Sequence, residues 1–163
     1  MFQIFFHLPY YAWREQLSED QRRYKDGQAF RRCEDVSFLS WKTSDSPGYL
    51  HEAQISCVVA GLDDRRWVAY CFVDTYFDGE GRETVLQYHE ESVAGGELTD
   101  PLTYGVNRPA HSIQDPEEYF LIVFRIRLNQ VKREWQKVVG KLKQSIRENE
   151  PVCSISILNS CMK

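Results

Sequence analysis

No run of about 18 apolar residues occurs anywhere in this 163-residue chain, so it carries no recognisable transmembrane helix. The five cysteines, Cys33, Cys57, Cys71, Cys153 and Cys161, make no C-x-x-C pair and no zinc spacing. No G-x-S-x-G, phosphate-binding loop, dinucleotide fingerprint or H-E-x-x-H is present. The apolar opening, residues 1–6, is too short for a secretory leader, has no basic flank and runs straight into His7, Leu8 and Pro9. An odd number of cysteines without a leader is most simply read as reduced thiols in a cytoplasmic protein.

What is present suits a folded domain. Apolar residues make up 42% and aromatics 13%, and four Trp, nine Tyr and nine Phe suffice for a core. The length corresponds to about one domain. The net charge of −4 is unevenly spread: residues 1–116 carry 19 acidic and 11 basic side chains, whereas residues 117–149 carry 4 acidic and 8 basic. The basic segment therefore suits docking on the chain's own acidic body, on an acidic partner, or at an anionic membrane surface. An acidic body repels phosphate, which disfavours nucleic acid.

Two β-prone runs, residues 52–60 and 66–77, flank Gly61, Leu62, Asp63, Asp64 and Arg65, a suitable hairpin loop. Both are mostly apolar, which predicts central strands covered on each face. Cys57 and Cys71 are then neighbours, read as buried thiols. Residues 2–7 form a strand or buried lead-in, followed by aromatics on a turn around Pro9. Residues 14–35 are dominated by charge, as a solvent-facing helix fragment or loop. Residues 36–41 and 84–89 are candidate strands, and residues 95–109 a long loop.

The firmest element is a helix over residues 116–149. Asp115 is a good N-cap, Pro116 suits the first helical position, and Glu118 fits a capping box. Leu121, Phe124, Leu128, Val131, Trp135, Val138 and Leu142 recur at alternating steps of three and four, a coiled-coil stripe. Arg125, Arg127, Lys132, Arg133, Lys137, Lys141 and Lys143 are assigned to the opposite face. The first turns, with Tyr119, Phe120, Ile122, Val123 and Ile126 added, look buried nearly all round, and the later ones look like a seam. That seam packs either on a partner or on a short helix from residues 14–35. Pro151 is expected to stop the helix, leaving residues 150–163 as a short strand or disordered tail.

Chemistry is sparsely signalled. Asp74, Asp78 and Glu80, with Glu83, are weak candidates for a cation-sensing loop, but their spacing does not match an EF-hand. Read on pattern alone they are a solvated turn. His89 or His111 in a cleft would be needed for a small hydrolase. No cofactor is called for.

The segments 5–10, 54–57, 66–77 and 115–120, with the Trp135 helix, resemble uncharacterised proteins of filamentous fungi. Their longer relatives continue the helix towards C-terminal membrane segments, in a layout similar to CorA-like magnesium transporters. No Gly-Met-Asn pore motif follows here. The resemblance implies a soluble regulatory or sensory region with the helix as an oligomerising stalk.

The expectation is an α+β fold: one domain over residues 1–149, with a small, mainly antiparallel sheet around a central hairpin against one long C-terminal helix. Its expected role is non-enzymatic, association with itself or another protein through Phe124, Leu128, Val131, Trp135, Val138 and Leu142. The alternatives are cation or ligand sensing, or hydrolysis.

Overall fold

The computed structural model of the chain describes residues 1–39, 47–78, 100–103 and 112–161, with side chains through 147. Four strands, β1 (Phe2–Arg14), β2 (Cys33–Asp35), β3 (Tyr49–Asp63) and β4 (Arg66–Val73), form one antiparallel sheet. The long β3 is its axis. On one side β1 pairs along it from Phe2↔Gly61 to Arg14↔Tyr49. On the other side β2 takes the start of β3, at Cys33↔His51, and β4 the rest, from Ile55↔Val73. One long helix, α1 (Pro116–Cys161), completes the α+β fold.

The hairpin forms where its turn residues predict. The Asp63 carboxylate accepts hydrogen bonds from the Arg65 and Arg66 backbone N–H groups at 3.1 and 3.0 Å, an Asx-type closure. Gly61 lies at the register shift beside it, where a Cβ would come within 2.6 Å of the Arg66 carbonyl oxygen. Only glycine fits there.

Strict alternation sorts the sheet's two faces. His51, Ala53, Ile55, Cys57 and Val59 of β3 are buried, and Phe6, Tyr10 and Ala12 of β1 join them. Trp67, Ala69, Cys71 and Val73 of β4 pack against the same cluster. This face lies under α1. The other face does not have the cover that the apolar runs suggested: Phe5, Val68, Tyr70 and Phe72 are exposed on it, Phe72 to 66%. Among the described residues, the apolar character of β4 therefore reflects one packed face and one open one, rather than a strand enclosed by two layers.

Other local expectations change too. The first strand does not turn at Pro9 but continues to Arg14, with Pro9 opposite Gln54. An edge strand tolerates proline because the missing N–H can face away from the ladder. Residues 15–32 hold no helix, only an isolated bridge between Arg23 and Ala29. Nor is this segment free of burial, since Asp20 is enclosed. Ser37–Leu39 is a single 3₁₀ turn rather than a strand, and β4 ends at Val73, before the 3₁₀ turn Tyr76–Asp78. The candidate strand at 84–89 and the whole interior of the loop at 95–109 apart from 100–103 fall outside the described residues.

The helix starts as its capping residues dictate. The Asp115 carboxylate accepts from the Glu117 N–H at 2.9 Å, and the Asp115 carbonyl from the Tyr119 N–H at 3.0 Å. Such a cap is worth about 1 kcal/mol. From there α1 runs along β1 in the same direction. Phe6 meets Phe120 and Phe124 edge-on near the start, and Tyr11 meets Trp135 further along. The backbone stays helical through Pro151 to Cys161, past the expected stop. An interior proline loses one backbone hydrogen bond and crowds the carbonyl four residues earlier, at a cost of about 3 kcal/mol, and the helical path nonetheless continues through it. No helix among the described residues is long and apolar enough to cross a membrane.

Candidate interaction surface

The apolar arc of α1 is wider than the sheet can cover, and this divides the predicted seam. Tyr119, Val123, Arg127, Val131, Glu134, Val138 and Ser145 form the buried row, at steps of three, four and seven. Val131 and Val138 are only 8% and 6% exposed, and Phe124 packs partly against Phe6. Leu128, Trp135 and Leu142 remain 44%, 42% and 40% exposed. At about 100° per residue the two rows lie roughly a quarter-turn apart. The six seam residues thus do not act as one set. Three belong wholly or partly to the chain's own core, and three are offered to solvent.

The exposed row is longer than the pattern search recognised. Leu121 is exposed and leaves a gap in the cover of the first turns, and Val139 and Ile146 widen the stripe and carry it past Leu142. Leu121, Leu128, Trp135 and Leu142 stand seven residues apart, as do Val139 and Ile146. Such a repeat presents one continuous line along a helix. Arg125, Lys132 and Lys143 are exposed beside it, and Arg133 and Lys137 are exposed on the far side of the helix. Arg127 is not on that solvent face: it lies in the buried row, with an Nη1 hydrogen bond to Gln130 at 3.1 Å.

Ionic contacts hold the helix in this rotation. Arg14, at the end of β1, donates to Glu134 at 2.8 Å and to Asp78 at 2.6 Å, with its guanidinium 4.8 Å from the Phe77 ring centre. Lys137 reaches Glu134 at 2.8 Å, and Lys141 lies over Trp13 and near Glu15. Burial raises the pKa of the Glu134 carboxyl, but hydrogen bonds from Arg14 and Lys137 outweigh it and leave the group below its ordinary value.

The acidic candidates have other employment. Asp74 is buried rather than solvated. Its carboxylate accepts from Arg22 and Arg31 at 2.7 Å each and from the Gln54 N–H at 2.9 Å. Arg22 also holds buried Asp20 at 2.7 Å. Burial pushes the Asp20 pKa up, and the Arg22 contacts overcome this to bring it below normal. Asp78 carries Arg14, and Glu80 lies outside the described residues. This arrangement ties residues 20–31 to the sheet and leaves Asp74 no free oxygen facing a cation. Among the described residues no group of three or more His, Cys, Asp or Glu is placed to hold a metal ion.

His89 and His111, on which a hydrolase would depend, lie outside the described residues. A pair that pattern reading missed is His51 and Cys33, opposite each other on β3 and β2 with nitrogen and sulfur 3.8 Å apart. Burial is the leading cause in both cases: it raises the Cys33 thiol and lowers the His51 imidazole. An activated thiolate–imidazolium pair needs the opposite shifts. His51 Nε2 also lies 3.2 Å from the Gln16 carbonyl oxygen. The pair is a core contact.

Among the described residues, exposed apolar side chains are gathered along the row of α1 and on the open sheet face around Phe5, Tyr70 and Phe72. Comparison with protein-family models, with curated proteins and with solved structures found no match.

Proposed function

We propose that the chain is a non-enzymatic interaction domain that associates with a second copy of itself through the exposed row of α1. The observation that carries this is the seven-residue recurrence of Leu121, Leu128, Trp135 and Leu142 on a helix whose adjacent face is already fixed to the sheet. A seven-residue apolar line is the period at which helices pair along their length. Packing on an internal partner needs no such period beyond the buried row. A regulatory or sensory role with the helix as stalk, as the likeness to CorA-like N-terminal regions implies, is compatible with this reading.

Trp135 would be the anchor, as large aromatic residues dominate interface energetics. Burying the remaining exposed parts of Leu128 and Trp135 on both copies contributes on the order of 4 kcal/mol, about a thousandfold in Kd. The test is sedimentation of the chain beside a Leu128→Glu, Trp135→Glu variant. Both residues are more than 40% exposed, so the variant should keep its fold, which circular dichroism checks. A wild-type dimer that becomes monomeric in the variant supports the proposal. A wild-type monomer at tens of micromolar overturns it, as does a variant that unfolds, since that would assign the row to the core.

A further inference from the structure

Two cysteines that the sequence pattern reads as neighbouring buried thiols stand in a closer relation. Cys57 of β3 and Cys71 of β4 are direct cross-strand partners, and both point to the face beneath α1. The backbone fixes which kind of pair they make. The Asp74 N–H donates to the Gln54 carbonyl, so Gln54 and Asp74 occupy a hydrogen-bonded site of the ladder. Antiparallel sites alternate, which places Cys57 and Cys71, three steps along, at a non-hydrogen-bonded site. Opposed Cα atoms there come within about 4.5 Å, inside the range of roughly 4.4–6.8 Å that a disulfide spans. Both thiols are free in this structure.

The pair also has a polar companion. Arg127 is buried on α1, and its charge acts on both sulfurs in the direction of the thiolate. A nearby buried guanidinium favours the thiolate. The charged and titratable groups around Cys71 are Cys57 from β3, and Arg127 and Tyr119 from α1. The Cys57 hydrogen bond is the leading influence and, with Arg127, it outweighs burial and brings Cys71 down to about 7. Cys57 is displaced upward by its hydrogen bond to Cys71 and by burial. The two thiols differ in exposure: Cys71 is only partly buried, while Cys57 is enclosed beside it.

We propose that Cys57 and Cys71 form a reversible thiol–disulfide couple, with Cys71 as the peroxide-reactive thiolate, Cys57 as the resolving thiol and Arg127 as the positioning residue. The Cys71 sulfur attacks one oxygen of hydrogen peroxide, the O–O bond breaks, and hydroxide leaves as Cys71 becomes a sulfenic acid. The Cys57 sulfur then attacks the Cys71 sulfur, forming the S–S bond and breaking the S–O bond. The departing hydroxide takes up the Cys57 proton as water. A low-molecular-weight dithiol reverses the change, itself becoming a disulfide.

The test treats the full chain with one equivalent of hydrogen peroxide, blocks remaining thiols with N-ethylmaleimide and maps the peptides by mass spectrometry. The expected product is an intramolecular link between the Cys57 and Cys71 peptides, with the loss of two hydrogens, reversed by dithiothreitol. An Arg127→Gln variant that remains folded should react roughly three- to tenfold more slowly at pH 7, with the pH for half-maximal Cys71 alkylation moved upward. A merely structural arginine would leave that midpoint unchanged. Should the variant unfold, the wild-type map decides alone. A link to any other cysteine, a link between chains, over-oxidation of Cys71 without a link, or no reaction at this pair overturns the proposal.

Discussion

The division of α1 into a committed row and an offered row makes a sharp thermodynamic prediction. Val131 and Leu128 are three residues apart on the same helix, yet one is 8% exposed and the other 44%. Replacing Val131 with Asn loses most of an aliphatic burial of about 1.5–2.5 kcal/mol. It also encloses an amide with no designed partner, which costs about 1–3 kcal/mol more. The expected loss is about 4 kcal/mol. Leu128→Asn gives up roughly half of a leucine's burial and leaves the amide in water, so it should cost about 1–1.5 kcal/mol. The gap of about 3 kcal/mol corresponds to roughly 6–12 °C in Tm for a chain of this length. Urea unfolding followed by far-ultraviolet circular dichroism at low micromolar concentration measures it without association contributing. Equal costs, or the reverse order, would refute the stated rotation of the helix on the sheet.

Acidification should destabilise the chain: Glu134 and Asp20 both have folded-state pKa values below normal, so their stabilisation is complete above the ordinary carboxyl range near pH 4 and is lost as pH falls through the folded values. Thermal melts between pH 7 and 2.5 check this, and Glu134→Gln should remove part of the decline. Asp74→Asn leaves Arg22 and Arg31 without their shared carboxylate and should cost about 3 kcal/mol, with residues 20–31 becoming the first site of limited proteolysis. Gly48→Ala would drive a methyl into the Trp13 ring and should cost about 1–3 kcal/mol, with a changed Trp fluorescence spectrum. An unchanged melt in either variant contradicts the contact concerned.

The elements legible in the sequence were those whose signals are local. Asp115 and Pro116 announced the helix start because capping depends on neighbours two and three residues away. Asp63 and Asp64 announced the hairpin because the turn closes within it. The face of a strand was not legible in the same way. Phe72 and Cys71 are both apolar, and only the placement of α1 decides that Cys71 is packed and Phe72 open. The seam posed the same difficulty. Seven-residue spacing marks an apolar arc, but how much of it the sheet occupies depends on Arg14, which fastens Glu134 from 120 residues away. Asp74 looked like a surface turn because its partners, Arg22 and Arg31, are remote in the chain. The pairing of Cys57 with Cys71 was visible as proximity, whereas its place at a non-hydrogen-bonded site follows from the ladder alone.

Pro9 carries a consequence for assembly. It sits two-thirds of the way along β1, whose far side has no partner strand among the described residues. Its neighbours Leu8 and Tyr10 turn their amide groups inward to β3, so the ring nitrogen of Pro9 is the outward one, and it has no hydrogen to give. A strand from another molecule laid along this border would meet a missing donor in mid-run. Open-ended, fibre-like growth from this border is disfavoured. Copies that meet through α1 would instead form a closed pair, finite in number.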